Sequence, residues 1–286
     1  MTMPSTFGTA RPSRRGGGRH ARARGRRPWL LIAGTLAVLT GSLLVAGPIF
    51  SLPLGPVGEP AVPPDVPLPL PAMAAVLDLL TQRAAGPPAP ATRDWIRDRL
   101  GALTPPIAGS TPSGFAGHLP GAPRTYRGGT HLGLDYYAGS CGVDVRVGTR
   151  VLAVAAGTVI RADTGYVELT PAQRAAALDA AKAAGDSAPR AVDPLHGRQV
   201  WVLHAGGVIS RYSHLSSVAA DITAGSRVEA GHVLGAVGNS GTNEGACGST
   251  LDAHLHLELY IDYRPAFGGI PSAVLWPLLR EVLSTP

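Results

Sequence analysis

Aromatic residues are scarce in this 286-residue chain, at 5% of the total, and there are only two cysteines. Two cysteines allow at most one disulfide. No internal repeat is evident. No acidic residue precedes Trp29, whereas eight arginines do (11, 14, 15, 19, 22, 24, 26 and 27), so the net charge of +6 belongs to a tail. Beyond that tail 17 basic residues meet 19 acidic ones. A near-neutral body without a basic stripe argues against a nucleic-acid partner. What is plentiful is turn chemistry: 37 glycines and 27 prolines stand beside a 45% hydrophobic content. That balance predicts a mainly β, strand-and-turn fold with a core and some unstructured linker.

Directly after the basic tail (1–28) comes the uncharged run WLLIAGTLAVLTGSLLVAG, residues 29 to 47. About 19 apolar residues suffice to span a bilayer as a helix. The preceding arginines orient it with the tail in the cytosol and the remainder exported. The segment, 29–48, reads as a single-pass membrane anchor, and a cleaved signal peptide would share its polarity and leave the body secreted. In either case the body lies outside the cytoplasm, where Cys141 and Cys247 are expected to pair as a disulfide. A proline-rich stretch, 49–72, reads as an extended spacer.

Two helical patterns follow within 73–105. In the second, Trp95, Ile96, Leu100 and Leu103 approximate one face behind Thr92 as N-cap. From about Ile107 the pattern becomes short alternating runs punctuated by glycine, which predicts antiparallel strands and hairpins up to about residue 270. Residues 163–198 interrupt that rhythm. Thr170 as cap, Pro171 at the first helical position and Gly185 as stop predict an inserted helix. Residues 271–286 read as a C-terminal tail or helix.

Chemistry concentrates in three places. In GGTHLGLDYYA (128–138) an extended chain puts His131, Gly133 and Asp135 on one face, with Gly133 leaving room for an ion. In LDAHLHLELY (251–260) alternation directs His254 and His256 to one side and Leu255 and Leu257 to the core. In ISRYSHLSS (209–217) His214 ends a strand. His20, His118, His196, His204 and His232 are not assigned to a metal. Three neutral or anionic donors with an open position make a catalytic zinc site.

In this order, H-x-x-x-D at 131–135, VGTRVLAVAAGTV, YSHL at 212–215, VEAGHVLGAVGNSG and H-L-H at 254–256 resemble the lysostaphin-type or LytM-domain zinc endopeptidases of bacterial cell walls. The resemblance covers roughly residues 115–262. It implies an antiparallel LytM-type fold resembling a duplicated hybrid motif, with Zn2+ held by His131, Asp135 and His256. It further implies that His254 and His214 are catalytic, with His254 favoured as base, and that Tyr126 resembles an oxyanion-stabilising tyrosine of some members. The implied activity is hydrolysis of peptidoglycan peptides by zinc-activated water. The alternative is a catalytically silent wall-binding or regulatory module that activates other wall hydrolases, and a regulatory protein partner is conceivable for either. Three features depart from the family pattern: the long TNEGACGSTLDA approach to H-L-H, the insertion at 163–198, and Leu257 where phenylalanine is common.

Overall fold

The computed structural model describes residues 72–84, 92–185 and 188–283. The basic tail, the apolar segment at 29–48 and all but the last residue of the proline-rich spacer lie outside them. Among the described residues no helix is long and apolar enough to cross a membrane.

In chain order the elements are α1 (Met73–Ala84), α2 (Arg93–Leu100), β1 (Pro123–Arg124), β2 (Gly129–Thr130), β3 (Leu134–Tyr136), β4 (Arg150–Leu152), β5 (Gly157–Ala162), α3 (Pro171–Ala184), α4 (Pro189–Val192), β6 (Val200–His204), β7 (Val208–Ser213), β8 (Leu215–Val218), β9 (Arg227–Val228), β10 (Val233–Val237), α5 (Asn243–Ala246), β11 (Leu255–Ile261), β12 (Arg264–Pro265) and α6 (Ser272–Val282). Every strand pairing among them is antiparallel. The large sheet runs β12-β11-β7-β6-β5-β9, with β3 also paired to β11, and a second sheet runs β4-β10-β8.

Alternation along β11 explains both of its faces. Leu255, Leu257, Leu259 and Ile261 share one core with Val151, Leu234 and Val237 of the smaller sheet and with Val159, Val202 and Tyr212 of the larger. Tyr260 faces the other way and packs with Ile160, Trp201 and Ile209 beneath Val76 and Leu80 of α1. Helix α1 therefore covers the outer face of the sheet. Helix α2 starts where the cap was expected, with the Trp95 amide donating to the Thr92 hydroxyl at 3.2 Å. Its buried Ile96 and Leu100 join Leu275, Leu278 and Leu279 of α6 in the main core, and Arg93 pairs with Glu281 at 2.7 Å.

The insertion begins as predicted. Thr170 and Gln173 form a reciprocal capping box ahead of α3, and Gly185 ends it. Its return is more structured than the sequence suggests: α4 and a 3-10 turn, Asp193–His196, bring the chain back to β6. Arg190 in α4 pairs with Asp78 of α1, so the insertion packs on α1. At its exit, Gly197 lies so close to the 240–241 backbone that a Cβ added there would meet the Ser240 carbonyl oxygen at 2.2 Å.

The expected disulfide is corrected. Both cysteines are free: Cys141 is buried and Cys247 exposed. The Cys141 thiol is buried in the core and donates to the Tyr137 carbonyl at 3.3 Å, whereas Cys247 is exposed at the end of α5. Burial also pushes the Cys141 thiol pKa up. With a thiol reagent and no reductant, Cys247 is expected to react in the folded protein and Cys141 only on unfolding, giving two thiols in total; zero would restore the disulfide.

Candidate metal centre

Strand pairing assembles the centre. On β11, His256 stands opposite Asp135 of β3, and the next residue of the same face, Glu258, stands opposite Arg211 of β7. His131 precedes β3, and its ring approaches the same point: its Nε2 lies 3.0 Å from Asp135 Oδ1 and 3.0 Å from His256 Nδ1, which is itself 2.8 Å from Asp135 Oδ1.

Counting protons shows what such a cluster can hold. The other nitrogen of His131, Nδ1, lies 3.0 Å from the Leu119 carbonyl, an acceptor, so it carries the proton and Nε2 presents a lone pair. His256 Nε2 lies 3.0 Å from Glu258 Oε1, so it donates there and Nδ1 presents a lone pair. Two imidazole lone pairs and a carboxylate oxygen thus converge with no hydrogen among them. That donor set fits a zinc ion. Burial alone would raise the Asp135 pKa; with no ion bound, protonated His131 and His256 rings would hold the carboxyl well below the usual range. Positive charge at this point thus keeps it ionised, whether a proton or a cation supplies it. Its second oxygen accepts from Arg124 at 3.1 Å.

Behind His256 lies a saturated carboxylate. Glu258 Oε1 faces His256 and, at 3.1 Å, His196 Nε2; Oε2 accepts from Arg211 at 3.1 Å and from the Tyr260 hydroxyl at 2.5 Å. Burial opposes the charge, yet Arg211 and the two imidazoles keep Glu258 well below the ordinary carboxylate pKa. A carboxylate that orients a ligand imidazole and raises its basicity is worth about 10- to 100-fold in metal affinity. Glu258, Arg211 and His196 were missed from sequence. Period-two alternation through H-L-H-L-E placed Glu258 on the ligand face, but nothing local marked His196, which arrives on the end of the insertion. His196, Glu258 and His256 also group closely enough for a metal; the Arg211 cation held on Glu258 makes that group a support for His256.

Two further histidines border the cluster. The His254 and His214 rings lie 4.7 Å apart. His254 Nδ1 donates to the Asp252 carbonyl at 2.7 Å and His214 Nδ1 to the Ser240 carbonyl at 2.7 Å, leaving both Nε2 atoms as acceptors. Tyr137 stacks on His254 at 4.2 Å. His214 holds a left-handed backbone with φ of 61°, a strained conformation common at functional sites. Burial, then its neighbouring histidines, hold its pKa well below the usual imidazole value, so it is neutral near pH 7. A cavity of about 590 Å³ is lined by His131, Asp135, His256, His254 and His214, with Tyr126 on its rim. Tyr126 is exposed, in the Thr125–Arg127 turn. His118, left without a role from sequence, also lines the cavity and packs against Tyr137 at 4.8 Å.

Gly133 does a different task from the one expected. It leaves room for β11 rather than for an ion: a Cβ there would sit 2.5 Å from the Leu257 carbonyl oxygen and 2.8 Å from His256 Cε1.

Residues 131–266 match Peptidase family M23. This domain belongs to that family, the lysostaphin and LytM family. Among solved structures, the M23-domain chain is similar to Csd3 from Helicobacter pylori (20% identity over 57% of this chain and 31% of that one, TM-score 0.33). It is also similar to the catalytic domain of the prophage-encoded M23 protein EnpA from Enterococcus faecalis (22%, 56% and 88%, TM-score 0.34). A third similarity is to the catalytic domain of lysostaphin from Staphylococcus simulans (19%, 60% and 87%, TM-score 0.29). The chain thus spans about a third of the length of Csd3. No curated protein matches.

If Glu258 orients His256, Glu258→Ala should weaken zinc binding about 10- to 100-fold in a chelator competition, with Glu258→Gln recovering part of the loss. Gly133→Ala should lose zinc as well, because the β3–β11 approach must open by several tenths of an ångström.

Proposed function

We propose that the protein is a zinc-dependent endopeptidase that cleaves peptides of bacterial peptidoglycan outside the cytoplasm, tethered by its N-terminal apolar segment. One observation carries the reading: beside a three-donor cluster stand two more histidines, His254 and His214, each with Nδ1 anchored to a backbone carbonyl and Nε2 turned to the same cavity. A silent wall-binding module has no use for two such aligned bases.

In this reading His131 Nε2, Asp135 and His256 Nδ1 hold the zinc. The metal supplies Lewis-acid polarisation of the scissile carbonyl and activation of a water. His254 Nε2, 3.9 Å from Asp135 Oδ1, takes a proton from the nucleophile and returns it to the leaving amine. His214, neutral with its only N–H committed to Ser240, acts as a second acceptor that orients the nucleophile. It is poorly suited to donate to an oxyanion, which leaves the Tyr126 hydroxyl at the cavity rim for that task.

The test is to load the full-length chain with zinc and measure the release of new peptide amino termini from isolated cell walls. His256→Ala should lose both zinc and cleavage. His254→Ala should keep about one zinc per chain and lose about 10²- to 10⁴-fold in turnover. Tight wall binding without cleavage by the wild type would favour the silent module, and loss of zinc in His254→Ala would reverse the two roles.

A further inference from the structure

The insertion brings one cation into the cavity that no acid claims. Arg174 lies in the first turns of α3, is half-buried and lines the cavity together with Leu178, Val192 and Leu195 of the same insertion. Leu178 is one helical turn on, on the same face as Arg174. The guanidinium donates from Nε to the Gly241 carbonyl at 3.1 Å, which holds the side chain against the cavity wall. Among the described residues it forms no ion pair. The other arginines of the cavity are already engaged: Arg124 with Asp135 and the Gly117 carbonyl, and Arg127 with the Thr130 carbonyl at 2.7 Å. Three acids line the same cavity, Asp135, Glu244 and Asp252; Asp135 is held by Arg124, and none of the three forms an ion pair with Arg174.

We propose that Arg174 and its apolar neighbours Leu178, Val192 and Leu195 form a subsite for an aliphatic substrate residue bearing a free carboxylate. Resting on the peptidase reading, this selects anionic stem peptides over uncharged glycine bridges. A guanidinium fixed at Nε keeps its two terminal nitrogens in the planar fork that binds a carboxylate at two points. Partial burial strengthens that pair beyond what an exposed arginine would give. Arg174 is a specificity residue in this account: it touches substrate away from the reacting atoms.

The experiment uses the zinc-loaded full-length chain with three probes: a synthetic cross-linked stem-peptide dimer with a free α-carboxylate, its carboxamide twin, and pentaglycine capped as the N-acetyl amide. The wild type should prefer the carboxylate dimer over its twin by about 10- to 100-fold in kcat/KM, the gain of a charge-assisted hydrogen bond. The capped pentaglycine should be no better than the carboxamide. Arg174→Ala should bring the carboxylate-to-carboxamide ratio to about one with bound zinc unchanged, and Arg174→Lys should keep part of the preference. Equal rates on the twins in the wild type, or an equal loss on both in Arg174→Ala, would overturn the proposal. Should the wild type cleave no probe, the peptidase reading fails separately. Calorimetric titration of the twins then decides the subsite: tighter carboxylate binding that Arg174→Ala abolishes supports it, and equal affinities overturn it.

Discussion

The register of β11 between β3 and β7 is the constraint on which the rest of the structure depends. It sets His256 beside Asp135 and Glu258 beside Arg211. Because side chains alternate, a slip by one residue would bring Leu257 to Asp135 and drive His256 and Glu258 into the apolar core. Leu255, Leu257, Leu259 and Ile261, each at most 1% exposed, oppose the slip. Each contributes about 1.5–3 kcal/mol by burial, and an unpaired carboxylate in their place would cost more. Core and centre are therefore products of one alignment. The opening at Gly133 is what lets the two strands come close enough to have it.

The polar face of that alignment is expensive, and its cost is offset locally. Arg211 is wholly buried, and besides Glu258 it reaches Asp193 at 2.8 Å and Gln199 at 2.6 Å. Asp193 in turn binds Arg161 at 2.8 Å. Removing one partner from such a buried network costs about 3–5 kcal/mol, because the remaining charge is stranded. Asp193 and His196 both belong to the returning end of the insertion. The inserted segment is thus part of the support of the candidate ligand His256 as well as a wall of the cavity, and its geometry is coupled to that of His256.

Local signals carried much of this into the sequence. The cap at Thr170, the glycine stop at Gly185 and the alternation of LHLELYI each depend on neighbours within a few residues, and each is where it was expected. Spacing and alternation marked His131, Asp135 and the H-L-H pair as candidate donors, but the choice of His256 over His254 came from the family resemblance and not from the pattern itself. What stayed hidden depends on burial and on distant contacts. Compartment argued that Cys141 and Cys247 should pair, but compartment says nothing about which thiol the fold buries and which it leaves exposed. Gly133 read as space for an ion, whereas the space is filled by a strand more than a hundred residues further along. His196 carried no local mark, since only tertiary packing brings it to Glu258.

The two histidines of H-L-H show how one strand face can present unlike groups. Period-two spacing gives them the same side, yet they use opposite ring nitrogens. His256 is anchored through Nε2 by the carboxylate of Glu258, one strand step along. His254 is anchored through Nδ1 by the carbonyl of Asp252, in a turn whose left-handed φ of 59° aims that carbonyl back at the ring. An anionic acceptor lends charge to an imidazole and suits it to hold a cation. A neutral carbonyl fixes the tautomer without lending charge, which suits a group that must accept a proton and release it again. The difference in their proposed tasks follows from what stands behind each ring.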